Sequence, residues 1–557
     1  MAGLLVILST SVISEQPVIT RALRPNDIFA IVPLRNRPVF KDSRPTKHGR
    51  IVGLVDPLDM IPEIYVLAET ITGDPVRDDI SETVLSCLIP PPWELGKFTT
   101  LKKCTDPTDL WNKFVKDVFV QDSLSKSIAG ELQSSFGLAA CIVRKPPSMP
   151  VSRFTPDRMG AKPCCRTPDP PYAPGTDVCQ RPVGLQLGPF DSIMRDLVTK
   201  AALACGTEIP DDVPGTIFMP VHEMQLPTIL TKFKDVQVVE PTIDALGQSS
   251  IRTMLVPALP NMALKLSVNM KISSALRTIS HWTADFGPRF SREIVPKLAV
   301  DPKILDVEVE PASACYAGVE SSLRKHFTAI WRNEYIPAPG QNIIVVAALL
   351  EMGHAGVPAG VSVVEHIFGL DTEAKRVEFL DKYLRLACEA FIPTALHNGV
   401  VFEAHAQNCL LRFDVETGEP LGFVVRDLGG LRIHPETMNA SLGTNFEFLS
   451  GHCVVTSTVE ETYPKFYHTL IHNHLQRIIR LLGMHNNGLG WEMLRGHLRN
   501  VIPQDHGLWK LWMETDTVAG KCLMRMRLQS VHDKMVFSPF PNMLLYRPEE
   551  NVAAVEA

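Results

Sequence analysis

The sequence has no run of about 18 uncharged apolar residues, so no segment reads as a membrane-spanning helix. Its 12 cysteines include no Cys-x-x-Cys, only the adjacent pair Cys164 and Cys165, which leaves neither a zinc-knuckle nor a dithiol redox spacing. Free thiols in a reducing compartment are the expectation, with the cytosol as location. No long basic block is present either. Lys and Arg total 55 against 61 Asp and Glu, a net charge of −6, which removes the electrostatic case for nucleic acid or an anionic membrane. Met1 to Ile13 lacks the basic start and small-residue cleavage site of a signal peptide, and the Arg-rich character of a transit peptide. It reads as the start of a buried strand or helix. No internal repeat of 20 to 50 residues is visible.

What remains is ordinary globular material. Of the 557 residues 45% are apolar and 21% charged, enough for two to four domains, each with a core. Composition shifts at Pro146 to Pro182, where ten prolines and three cysteines break both helix and ladder. We therefore expect an α+β multidomain chain divided at 1–195, 196–380 and 381–557. In the first part Trp111 to Phe136 has helical periodicity. In the second, Val236 to Val239, Met254 to Val256, Ala263 to Ile272 and Ile343 to Leu350 read as strands. In the third, Thr372 to Asn398 reads as a helix ended by Gly399 and broken at Pro393. Cys409 to Phe413 and Leu421 to Val425 form a hairpin around Asp414 to Pro420. Phe446 to Leu482, interrupted at Pro464, and Trp491 to Leu498 read as mainly helical.

The chemistry concentrates beside that hairpin. Glu403-Ala404-His405-Ala406-Gln407-Asn408 precedes its first strand, and Arg426-Asp427-Leu428-Gly429-Gly430 follows its second. A hairpin returns the chain to its starting end, so Asn408 and Asp427 should be neighbours. Asn and Asp at adjacent strand ends, with glycines for close approach, is how kinase-type sites hold Mg²⁺ against phosphates. The same residues could equally form a capped turn with a surface ion pair. Upstream, Gln248-Ser249-Ser250-Ile251-Arg252-Thr253 offers hydroxyls and a guanidinium suited to phosphate oxygens. Leu264 to Ile272 alternates, sending Lys265, Ser267, Asn269 and Lys271 to one strand face, and Ser273 to Thr278 repeats the Ser-Ser-then-Arg-Thr pattern with Arg277. A solvated strand edge would look similar. His222-Glu223-Met224-Gln225 precedes Pro227. His468, His472 and His474 have partial metal spacing but no accompanying Glu-x-x-His, and read as packing.

These blocks, in this order, resemble the siderophore synthetases that work independently of nonribosomal peptide synthetases, the aerobactin synthetase type. Carried by the resemblance are His222 and Gln225, Ser249 to Thr253, Lys265, Arg277, the Glu403 to Asn408 block with Arg426 and Asp427, and a closing stretch from Lys521 to Leu528. The likeness spans about 200 to 530. It implies a thumb–fingers–palm architecture with a kinase-like palm hairpin and ATP held between fingers and palm. Ser249, Ser250, Arg252 and Thr253 would embrace the phosphates, and Lys265 would neutralise them. Gln407 and Asn408 would contact the nucleotide, and Glu403 and Asp427 would hold Mg²⁺. Arg277 and His405 would stabilise the pentavalent α-phosphorus as a carboxylate attacks, and His222 and Gln225 would face substrate. An amine or alcohol then takes the acyl group from the adenylate, giving an amide or ester. A homodimer is implied as well.

The departures lie on the acid side. The family's Gly-His-Pro-x-His-Pro element is matched only by Gly160 to Arg166, without either histidine, so citrate does not follow directly. Two rivals remain: a non-catalytic relative that binds nucleotide or an iron chelate, and a kinase-like phosphotransferase. Against the latter, no base Asp stands just ahead of Asn408.

Overall fold

The computed structural model describes the chain except residues 1–2, 10–22, 41–48, 56–58, 62, 68–87, 90–93, 96–100, 119, 145–174, 183–184, 188–189, 209–215, 249, 251, 273–274, 318–319, 354–356, 523–525, 527, 529–536 and 549–557. It is an α+β protein of two compact units, residues 1–140 with 486–488 and 545–557, and residues 141–485 with 489–544. The expected boundaries near 195 and 380 both lie inside the second unit.

The first unit contains an antiparallel sheet of β1 (Gly3–Leu8), β2 (Ile28–Leu34), β3 (Ile64–Leu67) and β4 (Leu101–Cys104), in that order. Its core is Leu23, Ile28, Ile31, Tyr65 and Leu101, with Leu4 and Val6 packed alongside. The single helix expected over Trp111 to Phe136 is two, α1 (Pro107–Val118) and α2 (Asp122–Arg144). The Gly160 to Arg166 segment lies outside the described residues.

Among the described residues the second unit holds three sheets of three or more strands, besides two-stranded ribbons. The smallest is antiparallel: β5 (Gly175–Pro182) between β7 (Thr216–His222) and β8 (Gln237–Asp244). The largest has six antiparallel strands in the order β6 (Leu185–Leu187), β13 (Ala312–Cys315), β14 (Thr328–Asn333), β11 (Met262–Leu266), β10 (Thr253–Leu255) and β9 (Leu246–Gly247). One of its faces carries Met254, Leu264, Leu266, Ala312, Ala314, Ala329 and Trp331, buried with Phe190, Met194, Leu197 and Val198 of helix α3 (Phe190–Cys205). Alternation sends Thr253, Lys265, Ile330 and Arg332 to the opposite face. There Thr253 stands opposite Lys265, and Lys265 opposite Ile330. The strand expected to reach Ile272 stops at Leu266. The Ser267 hydroxyl donates to the Lys325 carbonyl and accepts from Ile279 N–H, and Val268 N–H bonds Arg277. Those bonds turn the chain out of the ladder.

The third sheet has the order β12 (Leu305–Val307), β17 (Pro420–Val425), β16 (Cys409–Asp414), β15 (Gln341–Val345). Its β16–β17 pair is the expected hairpin, with Cys409 opposite Val425. Helix α5 (Glu373–Asn398) covers this sheet, packing Tyr383 and Phe391 on Phe423. It ends, as expected, at Gly399 with φ 61°. It does not break at Pro393, because Phe391, Ile392, Thr394 and Ala395 on either side are all buried. Each large apolar side chain contributes roughly 1.5–3 kcal/mol, which offsets the ~3 kcal/mol cost of an internal proline.

Helix was also expected from Phe446. Residues 446–459 are irregular instead, held by Phe446 and Phe448 against Phe286 of α4 (His281–Glu293). Helical structure runs through α6 (Tyr463–Phe466), a π-helical stretch over Tyr467–Leu475 and α7 (Gln476–Leu481). No helix among the described residues is long and apolar enough to cross a membrane.

Candidate functional site

The hydroxyl-rich segment is the tip of the β9–β10 hairpin. Gln248 N–H bonds the Thr253 carbonyl at 2.9 Å, and Thr253 N–H bonds that of Ser250 at 2.9 Å. Ser249 lies outside the described residues, while Ser250 and Arg252 are partly exposed on the turn. Arg252 Nη1 donates to the Thr278 carbonyl at 2.6 Å, which pins the tip beside the segment bearing Arg277. Arg277 is close enough to oppose the charge of Arg252, whose pKa falls mainly through burial. The Thr253 hydroxyl oxygen is buried without a hydrogen-bond partner among the described residues. Clustered cations beside an unpaired hydroxyl are suited to an anion.

Asp427 meets this cluster from the other sheet. Lys265 Nζ donates to Asp427 Oδ1 at 2.6 Å, its side chain only 2% exposed against 23% for Asp427. Arg332 Nη2 lies 3.9 Å from the same oxygen and 3.3 Å from Oε1 of Glu310, which is fully buried. Burial opposes the Asp427 charge, but Lys265, Arg332 and Arg252 outweigh it and hold the carboxyl well below the usual range. Burial likewise lowers the pKa of Lys265. Three cations (Arg252, Lys265, Arg332) thus lie among the carboxylates of Asp427, Glu310 and, beside Arg332, Glu308, and Arg277 adds a fourth positive charge next to Arg252. Asp427 adopts φ 70°, a left-handed conformation costing roughly 1–2 kcal/mol for a residue with a Cβ. Such a conformation persists only where its surroundings fix it, and functional sites are where it concentrates.

The second block folds into a tight loop at the hairpin's start. Asn408 N–H donates to His405 Nδ1 at 3.3 Å, and Asn408 Nδ2 to the Glu403 carbonyl at 3.3 Å. Arg426 N–H bonds the Asn408 carbonyl at 3.0 Å, which makes Asn408 and Asp427 neighbours as the hairpin required. The Arg426 side chain donates to the Gln407 carbonyl at 3.0 Å and to Gln248 Oε1 at 3.3 Å, joining this loop to the β9–β10 tip. Behind it lies the π-helical stretch. Ala406 N–H bonds the Asn473 carbonyl, and His474 Nδ1 bonds the Ala404 carbonyl at 3.0 Å, with Tyr383 Oη 2.5 Å from Nε2. His474 is thus a packing residue. Among the described residues no group of three or more His, Cys, Asp or Glu side chains is arranged for a metal. His405 has its pKa lowered by burial, against Glu403, which favours the charged ring.

Glu403 does not stand free. Its Oε1 pairs with Lys465 Nζ at 2.7 Å, and a Cβ at Gly430 would overlap its Oε2, so a larger residue there must displace that carboxylate. Lys521 borders the same group. Burial brings its pKa down to about 8, Lys465 adding to the effect and Glu403 opposing it. His222 and Gln225 are placed differently. The His222 ring accepts from Met224 N–H, and burial lowers its pKa to about 4. Gln225 donates to the His326 carbonyl at 2.7 Å and accepts from Asn269 N–H at 2.5 Å, so both ends of its amide are used by backbone.

Comparison with known proteins decides the family. Residues 190–351 match the IucA / IucC family model, and residues 377–535 match the model described as ferric iron reductase FhuF-like transporter. The chain is 32% identical over 99% of its length, and 92% of the relative's, to the NRPS-independent siderophore synthetase rfs of Rhizopus delemar. The chain belongs to the NRPS-independent siderophore synthetases. Among solved structures it resembles petrobactin biosynthesis protein AsbB of Bacillus anthracis, with a TM-score of 0.67 at 14% identity over 100% of this chain and 92% of that one. It also resembles ATP-bound aerobactin synthetase IucA of Klebsiella pneumoniae, with a TM-score of 0.62 at 14% identity and 93% coverage of both chains. At those identities the likeness is one of fold.

Several residues of the synthetase's cluster carried no readable signal in the sequence. Arg332 ends an apolar strand, Glu310 sits in Glu308-Val309-Glu310 without a motif, and Lys465 follows a helix-starting proline. Lys521 was noted only as part of the closing stretch. Each gains meaning through a partner far along the chain: Arg332 from Asp427, Lys465 from Glu403.

Proposed function

We propose that this chain adenylates a carboxylic acid with ATP and passes the acyl group to an amine or alcohol. Family membership supports the class, an ATP-dependent ligase forming amide or ester bonds in siderophore biosynthesis. The observation that carries the mechanism is the meeting of Lys265 and Arg252 of the six-stranded sheet, with the segment bearing Arg277 beside them, and Asp427 of the hairpin sheet, whose neighbour Arg426 joins the Glu403–Asn408 loop to the same tip. In the family's terms the six-stranded sheet serves as fingers and the hairpin sheet with its helices as a kinase-like palm, the N-terminal part being the thumb.

Arg252, Ser250 and the Thr253 hydroxyl receive phosphate oxygens at the hairpin tip, and Ser249 belongs with them by sequence. Lys265 turns from Asp427 to neutralise the phosphates. Gln407 and Asn408 border the nucleotide. Arg277 and His405 stabilise the charge that builds at the α-phosphorus when a substrate carboxylate oxygen attacks it and pyrophosphate leaves, an electrostatic contribution of roughly 3 kcal/mol per donor. Because His405 Nδ1 accepts from Asn408 N–H, the neutral ring carries its proton on Nε2 as a donor. The acyl-adenylate then loses AMP, a far better leaving group than hydroxide, to the incoming nitrogen or oxygen.

The donor set suits Mg²⁺ as a hard ion that keeps one or two carboxylates and shares substrate phosphates. Asp427, held ionised, is the first ligand candidate; Glu403 becomes a second on leaving Lys465. The ion supplies charge neutralisation at the phosphates. Lys465 and Lys521 offer the acid its cationic surroundings, consistent with a polycarboxylate such as citrate or a related acid, even though the Gly160 to Arg166 segment lacks the family's histidines. His222 and Gln225 support this side through backbone contacts. A cytoplasmic homodimer completes the reading.

The test is pyrophosphate release with ATP and Mg²⁺ over a panel of carboxylic acids, with hydroxylamine as surrogate nucleophile. Acid-dependent pyrophosphate and a hydroxamate are expected. ADP as product would make the chain a phosphotransferase, and nucleotide binding without turnover a carrier.

A further inference from the structure

The Lys265–Asp427 pair joins the two groups that the proposed function sends apart, the ammonium to phosphate and the carboxylate to Mg²⁺. Once Lys265 turns away, Asp427 loses its 2.6 Å partner while still held in a left-handed backbone conformation. Arg332 is the neighbouring cation on the same sheet face, 3.9 Å from the same oxygen and 2% exposed. It comes from β14, two strands away from Thr253, and is held from behind by Glu310 at 3.3 Å. Glu310 is fully buried, its backbone N–H is tied to the Ser291 hydroxyl, and its Oε2 has no partner among the described residues. A Cβ at Gly287 would overlap that oxygen, so the Glu310 pocket closes from the far side.

We infer that Arg332, anchored by Glu310, is the positioning residue for the Asp427 carboxylate, keeping it aimed when Lys265 leaves for the nucleotide. Neither residue belongs to the blocks that carry the family resemblance. The inference rests on the proposed function, since it assigns Asp427 to the metal ion. A guanidinium offers several donors in a fixed fork, so one side chain can bond Glu310 and still face Asp427. A lysine there keeps the charge but lacks the planar fork that fixes both directions at once.

The test measures equilibrium ATP binding to the full chain by calorimetry, once with Mg²⁺ and once with EDTA. In wild type Mg²⁺ tightens binding at least about tenfold, within the ordinary range of coupling between bound ligands. The charge-balanced double variant Arg332→Gln with Glu310→Gln avoids a buried unpaired carboxylate. In it the gain from Mg²⁺ shrinks to about threefold or less while affinity in EDTA holds within about threefold. Arg332→Lys, which keeps the charge and loses the fork, falls between. A double variant that keeps the full Mg²⁺ gain would overturn the positioning role. Equal losses with and without Mg²⁺ would overturn it too, making Arg332 a phosphate contact. Wild type that binds no ATP would instead overturn the functional reading beneath it.

Discussion

Replacing Lys265 by Met separates the site's chemistry from its stability. The methionine fills most of the buried stem and removes only the ammonium, whose hydrogen bond to Asp427 is 2.6 Å. Breaking a fully buried ion pair costs about 3–5 kcal/mol, because the remaining charge is stranded. Here Asp427 is 23% exposed and keeps Arg332 at 3.9 Å and the field of Arg252, so the stability loss should be smaller, about 1–2 kcal/mol. Catalysis loses more. A preorganised cation at the phosphates contributes about 3–4 kcal/mol to the transition state, a fall of about 10²–10³ in kcat. Urea denaturation and acid-dependent pyrophosphate release on the same preparation measure both quantities. A folded variant with kcat within about threefold of wild type refutes the phosphate role of Lys265. So does an activity loss that added stabilising cosolvent restores.

Three further perturbations test the supports of the site. Gly430→Ala places a Cβ against Glu403 Oε2 and must push that carboxylate off Lys465; pyrophosphate release should fall at least about tenfold with little change in melting temperature. Tyr383→Phe leaves His474 without its 2.5 Å partner behind the Ala404–His405 turn, so we expect a loss of about 1–3 kcal/mol by urea titration and lower kcat at unchanged KM for ATP; a neutral result would make the π-helical stretch irrelevant to the loop. The third is acid stability. Burial lowers His474 from 6.5 to about 4, so the unfolded state binds the extra proton between those values; stability is full above pH 6.5 and is lost as pH falls towards 4, by on the order of 3 kcal/mol for this ring alone. His222, His452 and His472, each lowered to about 4, act in the same direction, and an urea midpoint that is flat from pH 7 to pH 4.5 contradicts this.

The hairpin and its flanking polar blocks were legible because the signal is local: two apolar runs, a turn, and a return to the starting end. Lys265 was legible by alternation over Leu264 to Leu266, although the ladder ends there and Ser267 serves the backbone of Lys325 and Ile279. Long-range pairing was not legible. Glu310 and Arg332 look like ordinary strand-edge charges until the fold buries both beside Asp427. Gln225 shows the converse: its type and position suit a substrate contact, but both amide atoms are taken by His326 and Asn269. The tertiary bonds of Phe446 and Phe448 likewise override a helical pattern in residues 446–459.

The adenylate itself is tested most directly by exchange of labelled pyrophosphate into ATP, with Mg²⁺, a carboxylic acid and no nucleophile. The proposed chemistry predicts exchange that requires the acid, proceeds without amine or alcohol, and disappears in Arg277→Ala and His405→Ala. Pyrophosphate formed only when the nucleophile is present, with no exchange in its absence, contradicts a free acyl-adenylate and the assignment of Arg277 and His405 to its formation.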